Sequence, residues 1–203
     1  MNRKFWEEEW EKGDSSIAST FYAMLKPPET PGKVLDVGCG DWAYAECFYS
    51  KNNFTVGCDI AYNALKKAKH NSSRYKYKVD FVQCDVRYLP FRENSFDNVL
   101  AIEMITLTGQ YYKNVLEEMY RVTKDDFLFN VTHIESLPRE EWNGEIERVA
   151  FDENDLKNLI QTLGIGISSF QVLTEYGIES WDFQRALIPF KGRKEYILVT
   201  CRK

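Results

Sequence analysis

A short apolar run that ends in a glycine-rich turn constrains the fold of this chain more than any other feature. The run is Lys33–Val37, and the turn Gly38–Asp41 follows it directly. Glycines at such a place let the backbone turn tightly and approach a ligand closely. A helical pattern begins at residue 42, which gives the order strand, glycine turn, helix. This order predicts the first unit of an open α/β sheet with a ligand at the carboxyl end of the strand.

Further apolar runs alternate with helical patterns along the chain. The predicted strands are Lys33–Val37, Thr55–Asp59, Asp80–Cys84, Asn98–Ile102, Phe127–Thr132, Ser168–Thr174 and Glu195–Cys201. Helices are predicted at 42–51, 62–70, 110–122 and 152–163, and residues 1–26 read as one or two amphipathic helices. Apolar runs separated by helices are typical of parallel strands joined by crossovers. The last two runs have no helical pattern between them, so we expect them to be antiparallel.

The glycine turn alone leaves the nucleoside cofactor open. Residues 38–43 also match a GxGxxA dinucleotide fingerprint, and Asp59 stands where a carboxylate accepts hydrogen bonds from ribose hydroxyls. Asp36 lies inside the first strand, where a carboxylate suits a cationic amino group better than a pyrophosphate. Asp85 follows the third strand, where it can accept from an adenine amine beside the Val86 amide. These acids favour S-adenosyl-methionine, with an NAD-dependent oxidoreductase as the alternative.

In this order and spacing, the motifs resemble those of class I S-adenosyl-methionine-dependent methyltransferases of the small, type 11-like kind. The matching pieces are Val34–Gly40, Asp59, Asp85 with Val86, Phe96–Ile102 with Glu103 at its tip, and Leu116–Val122. The resemblance implies an α/β, doubly wound, Rossmann-like sheet of seven strands, in the order 3-2-1-4-5-7-6 with strand seven antiparallel. It implies a single domain with an N-terminal helical cap (1–32), a cofactor-binding core (33–132) and a C-terminal half with substrate-side insertions (133–203).

The resemblance also implies a chemistry and a set of site residues. S-adenosyl-methionine is the expected methyl donor, S-adenosyl-homocysteine the expected product, and the reaction class is EC 2.1.1.-. The predicted cofactor-binding residues are Asp36, Gly38, Cys39, Gly40, Asp59, Ile60, Asp85, Val86 and Glu103. The catalytic residue stays open between Glu103, which would face the transferred methyl group, and His133, a candidate general base after the fifth strand.

One position departs from the family pattern. Trp42 stands where a third glycine is common, so we expect its side chain to point away from the cofactor or the loop to be reshaped. A methyltransferase-like binding module without catalysis therefore stays as a further alternative.

The methyl acceptor is the least constrained part of the interpretation. The fourth strand ends in Ile102–Ile105, which differs from the Asn/Asp-Pro-Pro-Tyr signature of enzymes that methylate nucleic-acid bases. A small molecule is the expected acceptor, with a protein or RNA as the alternative. Aromatic residues in the segments 1–26, 133–151 and 176–190 either form a lid over the carboxyl edge of the sheet or complete small satellite cores.

Charge and composition limit the remaining classes. The net charge of −5 argues against nucleic-acid binding by the whole surface. One stretch, residues 60–79, has no acidic residue but six cations: Lys66, Lys67, Lys69, Arg74, Lys76 and Lys78. It is either a solvated helix face or a docking patch for RNA or a weakly bound acidic partner.

The cysteines and the apolar runs bear on the cellular location that the sequence predicts. Five cysteines without a CxxC pair favour reduced thiols, and with only two histidines no metal site is expected. No run of eighteen apolar residues and no signal-like N-terminus occur, so we expect no membrane span and a cytoplasmic protein. The oligomeric state stays open.

Overall fold

A seven-stranded mixed sheet organises the molecule. The computed structural model describes residues 2–13, 32–42, 53–74, 78–136, 147–176 and 193–203. The strands are β1 (Lys33–Val37), β2 (Phe54–Asp59), β3 (Lys78–Gln83), β4 (Phe96–Ala101), β5 (Thr123–Thr132), β6 (Gly166–Tyr176) and β7 (Arg193–Arg202). They lie in the order β3-β2-β1-β4-β5-β7-β6. The first five pair in parallel, and β7 runs antiparallel to both β5 and β6. The predicted fold class, strand order and antiparallel strand seven are confirmed.

The described helices follow the predicted ones closely. They are α1 (Arg3–Lys12), α2 (Tyr62–Ser72), α3 (Tyr112–Val122) and α4 (Glu153–Thr162), with 3₁₀ turns at Ile105–Tyr111 and Ile134–Ser136. The helix predicted from residue 110 begins at Tyr112 because Gly109, with φ +54°, interrupts regular helical geometry. Residues 14–26 of the predicted N-terminal helices and 43–51 of the predicted helix 42–51 lie outside the described residues.

Two core clusters cover opposite faces of the sheet. Successive side chains of a strand point to opposite faces. In β1, Leu35 belongs to the larger cluster and Val34 to the smaller one. The larger cluster includes Leu116 of α3, and the smaller one includes Leu65 of α2. Helices therefore pack on both faces, as a doubly wound sheet requires.

Strand β5 is longer than the apolar run that predicted it. It begins at Thr123 rather than at Phe127 because its polar first residues still find backbone partners. Asp126 pairs with Asn98 of β4 on one side and with Arg202 of β7 on the other. A central position in the sheet thus extends a strand beyond what its hydrophobicity indicates.

The parallel strands β1–β5 all end at one edge of the sheet. This edge gathers the residues that follow each strand, and it is where ligands bind in open α/β folds. Among the described residues, no helix is both long and apolar enough to cross a membrane.

Candidate active site

The loop after β1 has a backbone that only glycine adopts easily. Gly38 and Gly40 have φ values of +74° and +53°, in the left-handed region that favours glycine. The amide groups of Gly38 and Cys39 donate to the carbonyl oxygen of Cys58, at 2.8 and 3.0 Å. These bonds tie the loop to the end of β2.

Two side chains from other elements lie against these glycines. A Cβ atom on Gly38 would stand 2.3 Å from Cγ of Met104, and one on Gly40 would stand 2.9 Å from the ring of Trp10. Both distances are too short for a carbon atom. The space beside these two glycines, called the glycine cradle below, is therefore already occupied by Met104 and Trp10, and a ligand that enters it would displace their side chains.

Trp42 adopts the backbone conformation of the glycine that is common at its position. Its φ is +59°, a conformation that costs an L-residue about 1–2 kcal/mol. The side chain is fully buried on the α2 face of the sheet, edge-on to Phe81 with ring centroids 5.7 Å apart. Burial of the indole offsets the strain. The side chain thus lies in the core, as expected for a bulky residue that leaves the cofactor edge.

Asp36 lies inside β1 with its side chain fully buried. Burial raises the pKa of the neighbouring Cys39 thiol well above its usual range, and the charges of Asp36 and Asp59 add to this effect. Cys39 therefore stays a protonated thiol and packs as a small apolar residue. The four described cysteines are all free thiols.

Asp59, the last residue of β2, connects the two motifs that the sequence placed at this edge. One carboxylate oxygen accepts from the Gly40 amide at 3.1 Å, and the other accepts from the Ala61 amide at 2.9 Å. Burial raises the pKa of Asp59 to about 6, although these amides favour the ionised form. The side chain is thus an ionised acceptor at neutral pH, and it titrates just below neutrality.

Helix α1 covers the region around Asp59 through a cap on another helix. The Glu7 carboxylate accepts from the Tyr62 and Asn63 amides, both at 2.9 Å, at the first turn of α2. Burial alone would raise the pKa of Glu7, but these amides hold it below its usual range. A carboxylate at a helix N-terminus is favoured because it complements the helix dipole and satisfies otherwise unbonded N–H groups.

An aromatic cluster completes the contact of α1 with this edge. The side chains of Phe5, Trp6 and Trp10 are buried against Ile60, Ala61 and Ala64, in a cluster separate from the two main cores. The N-terminal aromatics thus form a satellite core, one of the two alternatives, and Trp10 also reaches the glycine loop. Tyr22, Trp142, Trp181, Phe183, Phe190 and the side chain of Tyr176 lie outside the described residues.

Asp85, after β3, is engaged by the arginine two positions along the chain. The Arg87 Nε atom lies 3.0 Å from both carboxylate oxygens, Nη2 lies 2.6 Å from Oδ2, and the Arg87 amide donates to Oδ1 at 3.0 Å. Partial burial would raise the pKa of Asp85, but Arg87 holds it below its usual range. A carboxylate has about four acceptor positions, and Arg87 makes four contacts with this one.

Arg87 is itself fixed in place, and the residue beside it is buried. Its guanidinium lies over the Tyr111 ring, 4.4 Å from the ring centroid. A ligand amine that bonds to Asp85 must therefore compete with Arg87. Val86, between these two residues, is buried in the larger core cluster.

Glu103, at the tip of β4, has a strained backbone. Its φ is +55°, which is uncommon for a residue with a side chain. The buried side chain of Asn130 in β5 holds it there by accepting from the Glu103 amide at 2.6 Å. Strain that neighbouring contacts enforce is a feature of functional sites.

His133, after β5, is buried and both ring nitrogens are close to other groups. Nδ1 accepts from the Glu135 amide at 3.4 Å, and Nε2 lies 3.8 Å from a Glu153 carboxylate oxygen. A short bridge to Phe151 fixes its backbone. These contacts match an ordinary structural histidine, while its place at the carboxyl edge is the one a general base would need.

The structure brings the predicted residues after β1–β4 to one edge and adds others that sequence reasoning missed. The missed residues are Glu7, Arg87, Met104 and Asn130. Asn130 carried a signal, since it is an amide inside an otherwise apolar strand, and Arg87 carried a weak one as a cation beside Asp85. The described residues include no group of three or more His, Cys, Asp or Glu side chains that could hold a metal ion.

Part of the chain matches a known family model. Residues 35–129, slightly less than half of the chain, match the family model of the methyltransferase domain. A sterol 24-C-methyltransferase of Saccharomyces cerevisiae is 34% identical over 150 residues, which are 70% of this chain and 39% of that protein. The chain spans less than half the length of the curated relatives it matches.

Solved structures agree on the fold. A Burkholderia thailandensis 1,6-didemethyltoxoflavin-N1-methyltransferase, with its substrate and S-adenosyl-homocysteine bound, matches with a TM-score of 0.70 at 19% identity, over 99% of this chain and 86% of that one. A complex of the Haloferax volcanii Trm112 methyltransferase activator with a methyltransferase matches with a TM-score of 0.69 at 16% identity, over 98% and 90%. The predicted resemblance to class I methyltransferases is confirmed by the family model over residues 35–129, and the solved structures agree on the fold.

Proposed function

We propose that this chain, whose residues 35–129 match the methyltransferase domain, binds S-adenosyl-methionine at the carboxyl edge of the sheet and methylates a small molecule. The observation that carries the proposal is the bond between the Gly40 amide and the Asp59 carboxylate. It sets the glycine cradle and the ribose-type acceptor side by side, as a nucleoside cofactor requires.

The residues at this edge fit the cofactor by their chemistry. Gly38 and Gly40 let a ligand approach the backbone once Met104 and Trp10 move aside, and Asp36, inside the adjoining strand, is the acid that we assign to the cationic amino group. Ionised Asp59 accepts from ribose hydroxyls. Asp85 is the acceptor for the adenine amine once Arg87 gives up part of its contact.

When bound, the cofactor supplies a methyl group that its sulfonium already activates, so the protein mainly orients the acceptor and excludes water. Glu103, held in its strained conformation by Asn130, is the side chain that we assign to the methyl-transfer region. His133 is the remaining candidate for a general base, needed only where the acceptor arrives protonated.

A small acceptor is supported by the relatives and by the fourth strand. The named relatives act on a sterol and on 1,6-didemethyltoxoflavin, which are both small molecules. The Ile102–Ile105 segment lacks the signature of enzymes that methylate nucleic-acid bases. A protein or RNA acceptor is the second candidate, since another neighbour is a complex of a methyltransferase with an activator protein.

Calorimetric titration tests the cofactor. S-adenosyl-homocysteine should bind the protein and NADH should not. Asp59→Asn should weaken binding at least about tenfold, or roughly 1.4 kcal/mol. Asp80→Asn, an exposed carboxylate on neighbouring β3, is the matched control and should leave binding unchanged. Binding of NADH instead would overturn the proposal.

Release of S-adenosyl-homocysteine then tests the acceptor. The assay compares a small-molecule panel with RNA and protein fractions, each supplied with S-adenosyl-methionine. Turnover with members of the panel supports the proposal, and turnover with only RNA or protein contradicts the small-molecule part. Tight cofactor binding without turnover in any arm would indicate a binding module.

A further inference from the structure

A groove between α1 and α2 gathers cations that the methyl-transfer chemistry does not use. The groove is open to solvent and has a volume of about 500 Å³, within the range of small-molecule sites. Its lining comes from both helices and from Arg74, which lies just beyond the end of α2. The other lining residues are Trp10, Glu11, Asn63, Lys66, Lys67, His70 and Asn71. Three cationic side chains thus face one carboxylate, in a protein whose net charge is −5.

Hydrogen bonds hold three of the lining side chains in place, whereas Lys66, His70 and Arg74 are exposed. Asn71 donates to the carbonyl oxygen of Asp41 at 2.8 Å, and Lys67 donates to that of Gly13 at 2.6 Å. The side-chain amide of Asn63 in α2 donates to the Glu11 carboxylate at 3.1 Å. Walls fixed in advance lose little conformational freedom when a ligand binds.

The donor set of the groove matches a phosphate group better than a carboxylate. A phosphate monoester carries close to two negative charges at neutral pH and offers three strong acceptor oxygens. Lys66, Lys67 and Arg74 supply charge, and His70 and Asn71 supply further donors. Arginine and lysine are the usual phosphate ligands of proteins. A carboxylate, with one charge and two oxygens, would leave part of this set unused.

We propose that the groove between α1 and α2 binds the phosphate group of a small phosphorylated molecule. The volume of the groove favours a small ligand, whereas the negative net charge of the protein disfavours a long polyanion across the surrounding surface. The site adjoins the glycine loop, because Trp10 lines the groove and contacts Gly40. The proposal does not depend on the identity of the methyl acceptor.

Calorimetry at constant ionic strength tests the proposal with ribose 5-phosphate, inorganic phosphate and, as the uncharged control, ribose. We expect ribose 5-phosphate to bind with a Kd of about 1 mM or tighter, and ribose not to bind. The double substitution Lys66→Gln with Arg74→Gln should weaken binding at least about tenfold. Lys69→Gln, an exposed lysine of the same helix outside the groove, should keep the wild-type affinity.

Two outcomes would overturn the proposal. One is no measurable binding of ribose 5-phosphate or phosphate by wild-type protein that is folded by circular dichroism. The other is binding of a single-stranded oligoribonucleotide, without binding of ribose 5-phosphate, that Lys69→Gln weakens as much as the double substitution does. The second result would identify an extended basic surface rather than a phosphate site.

Discussion

Asp59 and Asp85 follow neighbouring strands at the same edge of the sheet, yet their surroundings shift their pKa values in opposite directions. Asp59 is covered by α1 and bonded by neutral amides, and burial raises its pKa to about 6. Asp85 is paired with Arg87, which holds its pKa below the usual range despite partial burial. Amides stabilise a carboxylate less than a guanidinium does, so burial dominates at one site and the ion pair at the other.

The comparison shows that different partners hold the two acids: backbone amides bond to Asp59 and a guanidinium bonds to Asp85. Asp59 is restrained by the backbone of its own loop and that of Gly40, and its charge depends on pH. Asp85 stays charged, but a neighbouring side chain occupies it. The predictions below test each half of this contrast.

The largest expected effect comes from Trp42, whose burial supports the loop that donates to Asp59. Trp42→Ala should lower the free energy of unfolding by about 3–5 kcal/mol, because it removes a fully buried indole. Urea denaturation measures the change. Trp42→Phe keeps an aromatic ring against Phe81 and should cost less. Equal losses for the two variants would contradict a role of indole packing.

The pH dependence of cofactor binding tests the Asp59 half directly. Ionised Asp59 is the acceptor, and its pKa of about 6 lies above the ordinary 3.8, so protonation removes the acceptor as the pH falls through 6. S-adenosyl-homocysteine affinity should be level above pH 7 and fall about tenfold per pH unit below 6. Titration calorimetry at several pH values measures this. Asp59→Asn should bind weakly with little dependence on pH in this window, and a variant that keeps the wild-type profile would remove Asp59 from the site.

Removing the Arg87 side chain, which is bonded to Asp85, should raise the affinity for S-adenosyl-homocysteine. Arg87→Met frees the Asp85 oxygens for the adenine amine, so S-adenosyl-homocysteine should bind about three- to tenfold tighter. Arg92→Met, an exposed arginine farther along the same loop, is the control and should not change binding. Weaker binding by Arg87→Met would show that Arg87 helps to hold the cofactor instead of competing with it.

The smallest expected effect is a shift in the titration of Asp59. The negative charge of Glu7 contributes to raising the pKa of Asp59. The substitution Glu7→Gln should therefore move the midpoint of the pH profile below 6. Glutamine keeps one of the two oxygens that accept from the α2 amides and removes only the charge and the second acceptor. Glu8→Gln, one position along α1 and exposed, should leave the midpoint in place. An unchanged midpoint for Glu7→Gln would show that burial alone sets the pKa.

Much of the fold could be predicted because its signals are local. Lys33–Val37 coincides with β1, and the other strands differ from their predictions mainly at their ends. The ends were missed where pairing, not hydrophobicity, extends a strand, as at Thr123 in β5. The strand order came from the family resemblance, and the antiparallel pair from the missing helix between the last two runs.

The site was predictable only in part. Residues directly after a strand, such as Gly38, Asp59 and Asp85, were found because parallel strands bring their ends together. Glu7 was missed because it comes from a helix about fifty residues away from its partners in α2. The positive φ of Trp42 and Glu103 was not predicted, because neither residue type favours it.

The alternation of strands and helices, the glycine loop and the positions of the acids could be predicted from the sequence, because each depends on residues close together in the chain. Whether each acid is buried or paired with a cation, and hence the direction of its pKa shift, depends on the tertiary structure. Desolvation and ion pairing depend on what packs against a group from distant segments. For Asp59 that is α1, and for Asp85 it is an arginine whose orientation also depends on Tyr111.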